Sequence, residues 1–109
     1  MKIFVDDVRD GPEGWTTVRK VEEAIVAIAK FNPTHISLDH DIENRPSDET
    51  FKAVAYFIGV RYTSRLEWDE QLECYEPTWN PTVTIHSANP VGAQQIHDIL
   101  ESYGLKSII

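Results

Sequence analysis

The sequence has very little cysteine, few cations and no long apolar run. A single cysteine among 109 residues, Cys74, excludes an internal disulfide and a zinc site built from cysteines. No window of about 18 uninterrupted apolar residues occurs, so a membrane-spanning helix is not expected. Lysine and arginine number 10 against 18 aspartates and glutamates, a formal charge of -8. That balance repels a nucleic-acid backbone at long range and speaks against broad duplex binding. A small phosphate-bearing ligand then needs local compensation from a metal ion, a helix amino terminus or an arginine. The first residues show no basic, apolar and small-residue succession of a secretory signal. With one cysteine, this makes the cytoplasm the expected location. The length suits one domain over residues 1–109, and the sequence is silent on oligomeric state.

What the sequence does have is three apolar stretches that each stop at polar, ionisable residues: KIFVDD at 2–7, THISLDHD at 34–41 and TVTIHSAN at 82–89. Ile36 and Leu38 are core material, whereas Asp39, His40 and Asp41 in succession do not fit a strand interior. Each strand is therefore expected to emerge at a site. In an open parallel sheet, ligands sit beyond the carboxyl ends of the strands, where the strand order reverses.

Between these stretches, the glycines and proline of VRDGPEG at 8–14 mark a loop in place of a first helix, followed by a short strand from Trp15 to Val18. Val21, Ala24, Ile25 and Ile28 predict a helix over Val21 to Phe31, stopped by Asn32 and Pro33. A polar loop from Glu43 to Pro46 leads to Ser47 as a helix cap. The helix then starts at Asp48 with Phe51, Val54, Ala55, Ile58 and Tyr62 on one face, and ends at an unplaced point after Gly59. Residues 61–81 read equally as a helical extension, a hairpin or a flap. Asn89 caps a last helix that begins at Pro90, turns Ile96, Ile99, Leu100 and Tyr103 inward and ends at Gly104 before a strand from Lys106 to Ile109. Strands alternating with helices predict an α/β fold: five parallel strands ordered 2-1-3-4-5, covered on both faces as a three-layer sandwich.

That order brings Asp6, Asp7 and Asp39 together. Three close carboxylates cannot all stay ionised unless a cation compensates them, and oxygen ligands suit Mg2+ or Mn2+. Side-chain alternation ranks Asp39 above Asp41 as a ligand. The competing reading is that Asp6 and Asp7 merely cap the following loop. His86, Ser87 and Asn89 precede a helix amino terminus, and Gly92 in its first turn lets an anion approach. His40 and His86 end neighbouring strands and suit proton exchange near neutral pH, unless both are structural histidines bonded to loop carbonyls. Arg9 either contacts a phosphate or pairs with an acidic neighbour in its loop. His35 and His97 read as structural or solvated. The aromatic residues from Trp68 to Trp79 either stack a base or pack the segment against the sheet edge.

DDVRDGPEGW, SLDHDI and HSANPVG, in that order, resemble the signature of the cyclic-phosphate processing receiver domain, a family related to the receivers of two-component signalling. The resemblance covers most of the chain outside 61–81, which looks like an insertion, and departs from the family pattern at Asp48 to Phe51. It implies a flavodoxin-like, receiver-like fold and an activity on cyclic phosphates such as 2′,3′-cyclic RNA ends or cyclic nucleotides. It matches Asp6 and Asp7 with the acidic pair that holds the metal in receivers, Asp39 with the phosphoacceptor, and Ser87 with the hydroxyl residue after the fourth strand. His40, His86 and Asn89 are additions of the family. A lysine at the carboxyl end of the fifth strand and a fifth helix, both usual in phosphorelay receivers, are not in the sequence, so phosphoryl signalling is not expected.

The resulting expectation is a metal-dependent phosphodiesterase for a cyclic phosphate. Asp6, Asp7 and Asp39 hold Mg2+ or Mn2+; His40, His86 and Ser87 are catalytic; Arg9, Ser87, Asn89 and Gly92 bind phosphate. Its partner is a small phosphate-bearing ligand or an RNA end. The rival is a receiver-like module that binds a nucleotide or a protein without turning anything over.

Overall fold

A computed structural model describes residues 1–42 and 50–109. The Glu43 to Pro46 loop, the Ser47 cap and the helix start at Asp48 lie outside the described residues. The elements in chain order are β1 (Lys2–Val5), β2 (Thr16–Val18), α1 (Val21–Phe31), β3 (His35–Leu38), α2 (Lys52–Ser64), β4 (Leu66–Asp69), β5 (Cys74–Pro77), β6 (Thr82–Ile85), α3 (Pro90–Ser102) and β7 (Ser107–Ile108). No described helix is long and apolar enough to cross a membrane.

Five strands form one parallel sheet in the order β2-β1-β3-β6-β7. This is the α/β, receiver-like architecture, with β1 and β3 side by side where the order reverses. The order differs in detail from 2-1-3-4-5 because two further strands, β4 and β5, intervene in the chain and pair only with each other. Residues 61–81 thus combine two of the readings: α2 continues to Ser64, and an antiparallel hairpin follows.

The three-layer expectation does not hold. The crossovers β2–α1–β3, β3–α2–β6 and β6–α3–β7 all step across the sheet in the same direction, and right-handed crossovers in one direction deliver every helix to the same face. Only the step from β1 to β2 runs the other way, and a loop replaces the helix there. The helices therefore make one layer, in which α2 contacts both α1 and α3. Side-chain alternation follows from this. Ile3, Val5, Ile36, Leu38, Val83 and Ile85 are buried and face the helices, while Lys2, Phe4, Ser37, Thr82 and Thr84 point to the other face.

Helix placement follows the apolar periodicity. Ala24 and Ile28 of α1, Val54, Ala55 and Ile58 of α2, and Ala93, Ile96 and Leu100 of α3 are buried against the sheet. Asn32 ends α1 in the left-handed region at φ 44°, where a short polar side chain is tolerated. Helix α2 runs on past Gly59, where the ring of Tyr103 packs in the place of a side chain: a Cβ there would fall 2.2 Å from Tyr103 Cδ2. Trp79 is buried and its indole N–H donates to the Pro33 carbonyl at 3.0 Å, fixing the return from the hairpin beneath the start of β3. His97 bonds Ser107 and lies 3.5 Å from Glu101, a structural role.

Candidate active site

The sheet ladder runs one residue beyond the ends of three strands. The Asp6 N–H donates to the Val18 carbonyl, Asp39 N–H to Val5 and His86 N–H to Leu38, at 3.1, 3.0 and 2.9 Å. Val5, Leu38 and Ile85 are partners across the sheet, so Asp6, Asp39 and His86 occupy the next row. Because Val5, Leu38 and Ile85 face the helices, alternation sends the following side chains to the opposite face. One potential ligand atom from each of Asp6, Asp39 and His86 lies within 4.8 Å of the others. Residues 80 positions apart in the chain thus meet through strand register.

Each member is held. Asp6 Oδ1 accepts the N–H groups of Val8 and Arg9 at 2.9 and 2.8 Å, while Oδ2 lies 3.0 Å from His86 Nε2. Asp6 thus caps the following loop through Oδ1 and turns Oδ2 toward His86. Burial acts to raise the Asp6 pKa, but the Arg9 and Val8 N–H groups and His86 together hold it below the usual value. For Asp39 burial wins: despite the His40 N–H, Ser87 and His86, desolvation and the neighbouring Asp6 charge push its pKa upward.

His86 uses both ring nitrogens. A carboxylate only accepts, so Nε2 carries the proton toward Asp6, and Nδ1 accepts from the Ser37 hydroxyl at 2.7 Å. The ring stacks on Phe4 with centroids 4.2 Å apart. Since a hydroxyl can donate or accept, Ser37 supports either tautomer of His86, including the one that leaves the Nε2 lone pair available to a metal.

His40 points the other way, toward the helices. Its ring is buried against Gly92, where a Cβ would fall 2.4 Å from both Cγ and Nδ1. His40 Nδ1–H donates to Asp41 Oδ1 at 2.7 Å. This bond, more than any other cause, lowers the Asp41 pKa; burial opposes it, and the Asn89 amide at 3.3 Å assists. Among the described residues, His40 Nε2 is the buried side-chain nitrogen or oxygen without a hydrogen-bond partner. The His40 carbonyl accepts the Phe51 N–H at 2.9 Å, tying this residue to the start of α2.

Asp6, Asp7, Val8, Arg9, Asp39, Asp41 and Ala88 line a cavity of about 120 Å3 over this row. Asp7 is thus on the cavity wall but outside the group of three converging ligand atoms. Arg9 contributes to the same wall. The anchoring of its loop falls instead to Arg19, which donates to the carbonyls of Asp6 and Arg9 at 3.3 and 2.8 Å and pairs with Asp10. Ser87 accepts the Asn89 N–H at 3.1 Å, and its hydroxyl is one of the groups that oppose the rise of the Asp39 pKa. Asn89 is the cap of α3, its oxygen accepting the Gly92 N–H at 3.1 Å. That N–H is accordingly taken, and the space above Gly92 is filled by His40. Neither Asn89 nor Gly92 lines the cavity.

A family model described as the cyclic-phosphate processing receiver domain matches residues 1–102. The chain belongs to that family. No match was found among curated proteins or among solved structures.

In this cyclic-phosphate processing receiver, sequence reasoning did not single out Ser37 or Arg19. Ser37 was detectable: it lies two positions before Asp39, and the strand period of two places both on one face. Arg19 carried no such signal, because its role depends on how the loop folds back. The aromatic segment also divides. Trp79 is core, whereas Trp68 and Tyr75 are exposed on the hairpin.

Proposed function

We propose that the chain is a metal-dependent phosphodiesterase for a cyclic phosphate, with the cation held by Asp6, Asp39 and His86. The observation that carries this reading is the convergence of two buried carboxylates and an imidazole within 4.8 Å beside a cavity walled by four aspartates and one arginine. A phosphate anion has no reason to enter such a cavity unless a cation is already there. The donor set fits one: hard oxygens with a single imidazole suit Mg2+ or Mn2+, and Asp7 is placed to add a second-rank contact from the wall. When bound, the ion would polarise a phosphoryl oxygen and lower the pKa of a water.

The protein groups do the rest. Ser87 favours the charged form of Asp39, and Ser37 fixes the orientation of His86. Arg9 supplies a guanidinium to the phosphate from the cavity wall. Proton exchange falls to Asp41, which is on the cavity wall and would trade a proton with a water or the leaving oxygen, while the His40 Nδ1–H behind it, at 2.7 Å, orients that carboxylate and favours its charged form. His86, with both nitrogens engaged, serves as ligand in this reading and not as the acid or base.

The cavity volume also speaks to the substrate. About 120 Å3 is well under the roughly 300–1,000 Å3 of pockets that enclose a whole small molecule. The cavity suits the phosphoryl end of a ligand, with the nucleoside or RNA chain left on the surface. The test is to incubate the protein with Mg2+ and a panel of 2′,3′- and 3′,5′-cyclic nucleotides and cyclic-ended oligonucleotides, following phosphorus by NMR. A monoester signal that disappears in Asp39→Ala supports the enzyme; binding without conversion supports a module that only recognises the ligand.

A further inference from the structure

The flank of α1 beside the sheet edge is apolar and open. Strand β2 ends the sheet and, among the described residues, pairs with β1 alone, so its outer row of backbone N–H and C=O groups has no strand beside it. Edge strands usually carry a charge or a proline that discourages pairing, and Thr16–Val18 carries neither. Thr16 and Val18 share the face of their partners Ile3 and Val5, which is the helix side. With Glu23, Val26, Ala27, Lys30 and Phe31 of α1 they border a groove of about 530 Å3. Val26 and Phe31 are 63 and 48% exposed there, although helix α1 buries its other apolar side in the core.

The charges of this flank are placed symmetrically about its apolar centre. Glu23 in the first turn and Lys30 in the last are seven residues apart, so they lie on one side of the helix about 10 Å from each other, with Val26 and Ala27 midway. Let two such helices run antiparallel about a two-fold axis that passes between Val26 and Ala27. Glu23 of each copy then faces Lys30 of the other, and Val26 of each faces Ala27 of the other. A two-fold interface has to be complementary to itself, and this flank meets that condition in charge as well as in apolar surface. An axis normal to the sheet also sets the two β2 edges side by side in opposite directions, as in an antiparallel pair. A nucleic-acid backbone or an anionic membrane would instead meet Glu22 and Glu23 at the groove.

We propose that this flank is the interface with a second copy of the chain: α1 packs antiparallel on α1 of the other copy, Glu23–Lys30 pairs close both ends of the contact around Val26, and the β2 edges adjoin. Phe31, whose ring lies 5.2 Å from the Lys30 ammonium, is covered in the same step. None of these residues lines the carboxylate cavity, so the proposal is independent of the phosphodiesterase reading.

The test is sedimentation equilibrium of the full chain at physiological ionic strength, over a concentration series that reaches several hundred micromolar. The parent should show a monomer–dimer equilibrium. Val26→Asp should weaken it about tenfold or more, because it places an unpaired carboxylate at the centre of the contact. Glu23→Lys and Lys30→Glu should each weaken it several-fold, since each turns both attractive pairs into like-charge pairs. Mixed in equal amounts, these two variants should associate with each other about as tightly as the parent does with itself, because the mixed pair sets cation against carboxylate at both positions. That recovery requires both variants to be folded, so it separates a lost contact from a lost fold. A parent that stays monomeric, which would leave the groove to a different protein, overturns the proposal. So does a dimer that Val26→Asp leaves intact, or a mixture that associates no better than either variant alone.

Discussion

His86 Nε2 lies 3.0 Å from Asp6 Oδ2, and this contact joins the end of β6 to the end of β1 across the intervening β3. Since the same two groups are the outer members of the proposed ligand set, removing His86 should act on metal binding first. His86→Ala is expected to weaken Mn2+ affinity by at least about tenfold to a hundredfold, with a milder loss in Ser37→Ala, which removes only the support for the ring. Proton relaxation enhancement by Mn2+ measures both. Unchanged affinity in His86→Ala would remove the imidazole from the ligand set.

Much of this site is legible in the sequence because it is a matter of register. Three apolar runs that each end on chemistry, in a fold whose strands are parallel, must place those ends along one edge. The strand period then sorts Asp39 and Asp41 from His40. What could not be read is whatever depends on packing between elements. The end of α2 beyond Gly59 could not be placed, nor could the packing of the Tyr103 ring against Gly59 be foreseen. Gly92 looks like an opening for an anion, and His40 fills it. The expectation of helices on both faces failed although the strand order was nearly right. Replacing the first helix by a loop removes the one crossover that runs in the opposite direction, and with it a layer.

Asp39 bears an electrostatic cost in the metal-free protein, because burial and the Asp6 charge both disfavour its ionised form. Asp39→Asn keeps an acceptor for the His40 N–H and removes the charge. The variant should melt several degrees higher than the parent without metal at neutral pH, about 4–8 °C per kcal/mol gained, and should lose the stabilisation that Mg2+ gives the parent. Thermal unfolding with and without Mg2+ checks both halves. A lower melting temperature without metal would mean that Asp39 is held by contacts stronger than its charge penalty.

The two aspartates also set opposite pH dependences. The pKa of Asp6 is depressed in the folded state, so its contribution to stability is present above the ordinary carboxylate value of 3.8 and is lost as the pH falls through the lower folded value. The pKa of Asp39 is raised, so protons compete with a metal there while the pH is still above 3.8. Metal affinity should therefore decline on acidification before the fold does. Mn2+ titrations and circular dichroism over the same pH series test the order; simultaneous loss would contradict it.

Gly92 and His40 form a steric pair. Gly92→Ala should destabilise the protein by about 1–3 kcal/mol, the usual range for an atom forced into packed space. The penalty should shrink when His40 is also changed to Ala, since the added methyl then has room. A denaturant double-mutant cycle reads the coupling. Additive losses would mean that Gly92 is needed for something other than the imidazole.

The account stands on turnover at the aspartate and histidine row. Phosphorus NMR of a cyclic-ended substrate with Mg2+, run on the parent and on Asp39→Ala, is the most direct measurement. The account predicts a phosphomonoester signal that grows with the parent and is absent from the variant. A parent that binds Mg2+ and leaves every cyclic phosphate in the panel intact, or a variant that converts it equally well, would contradict it.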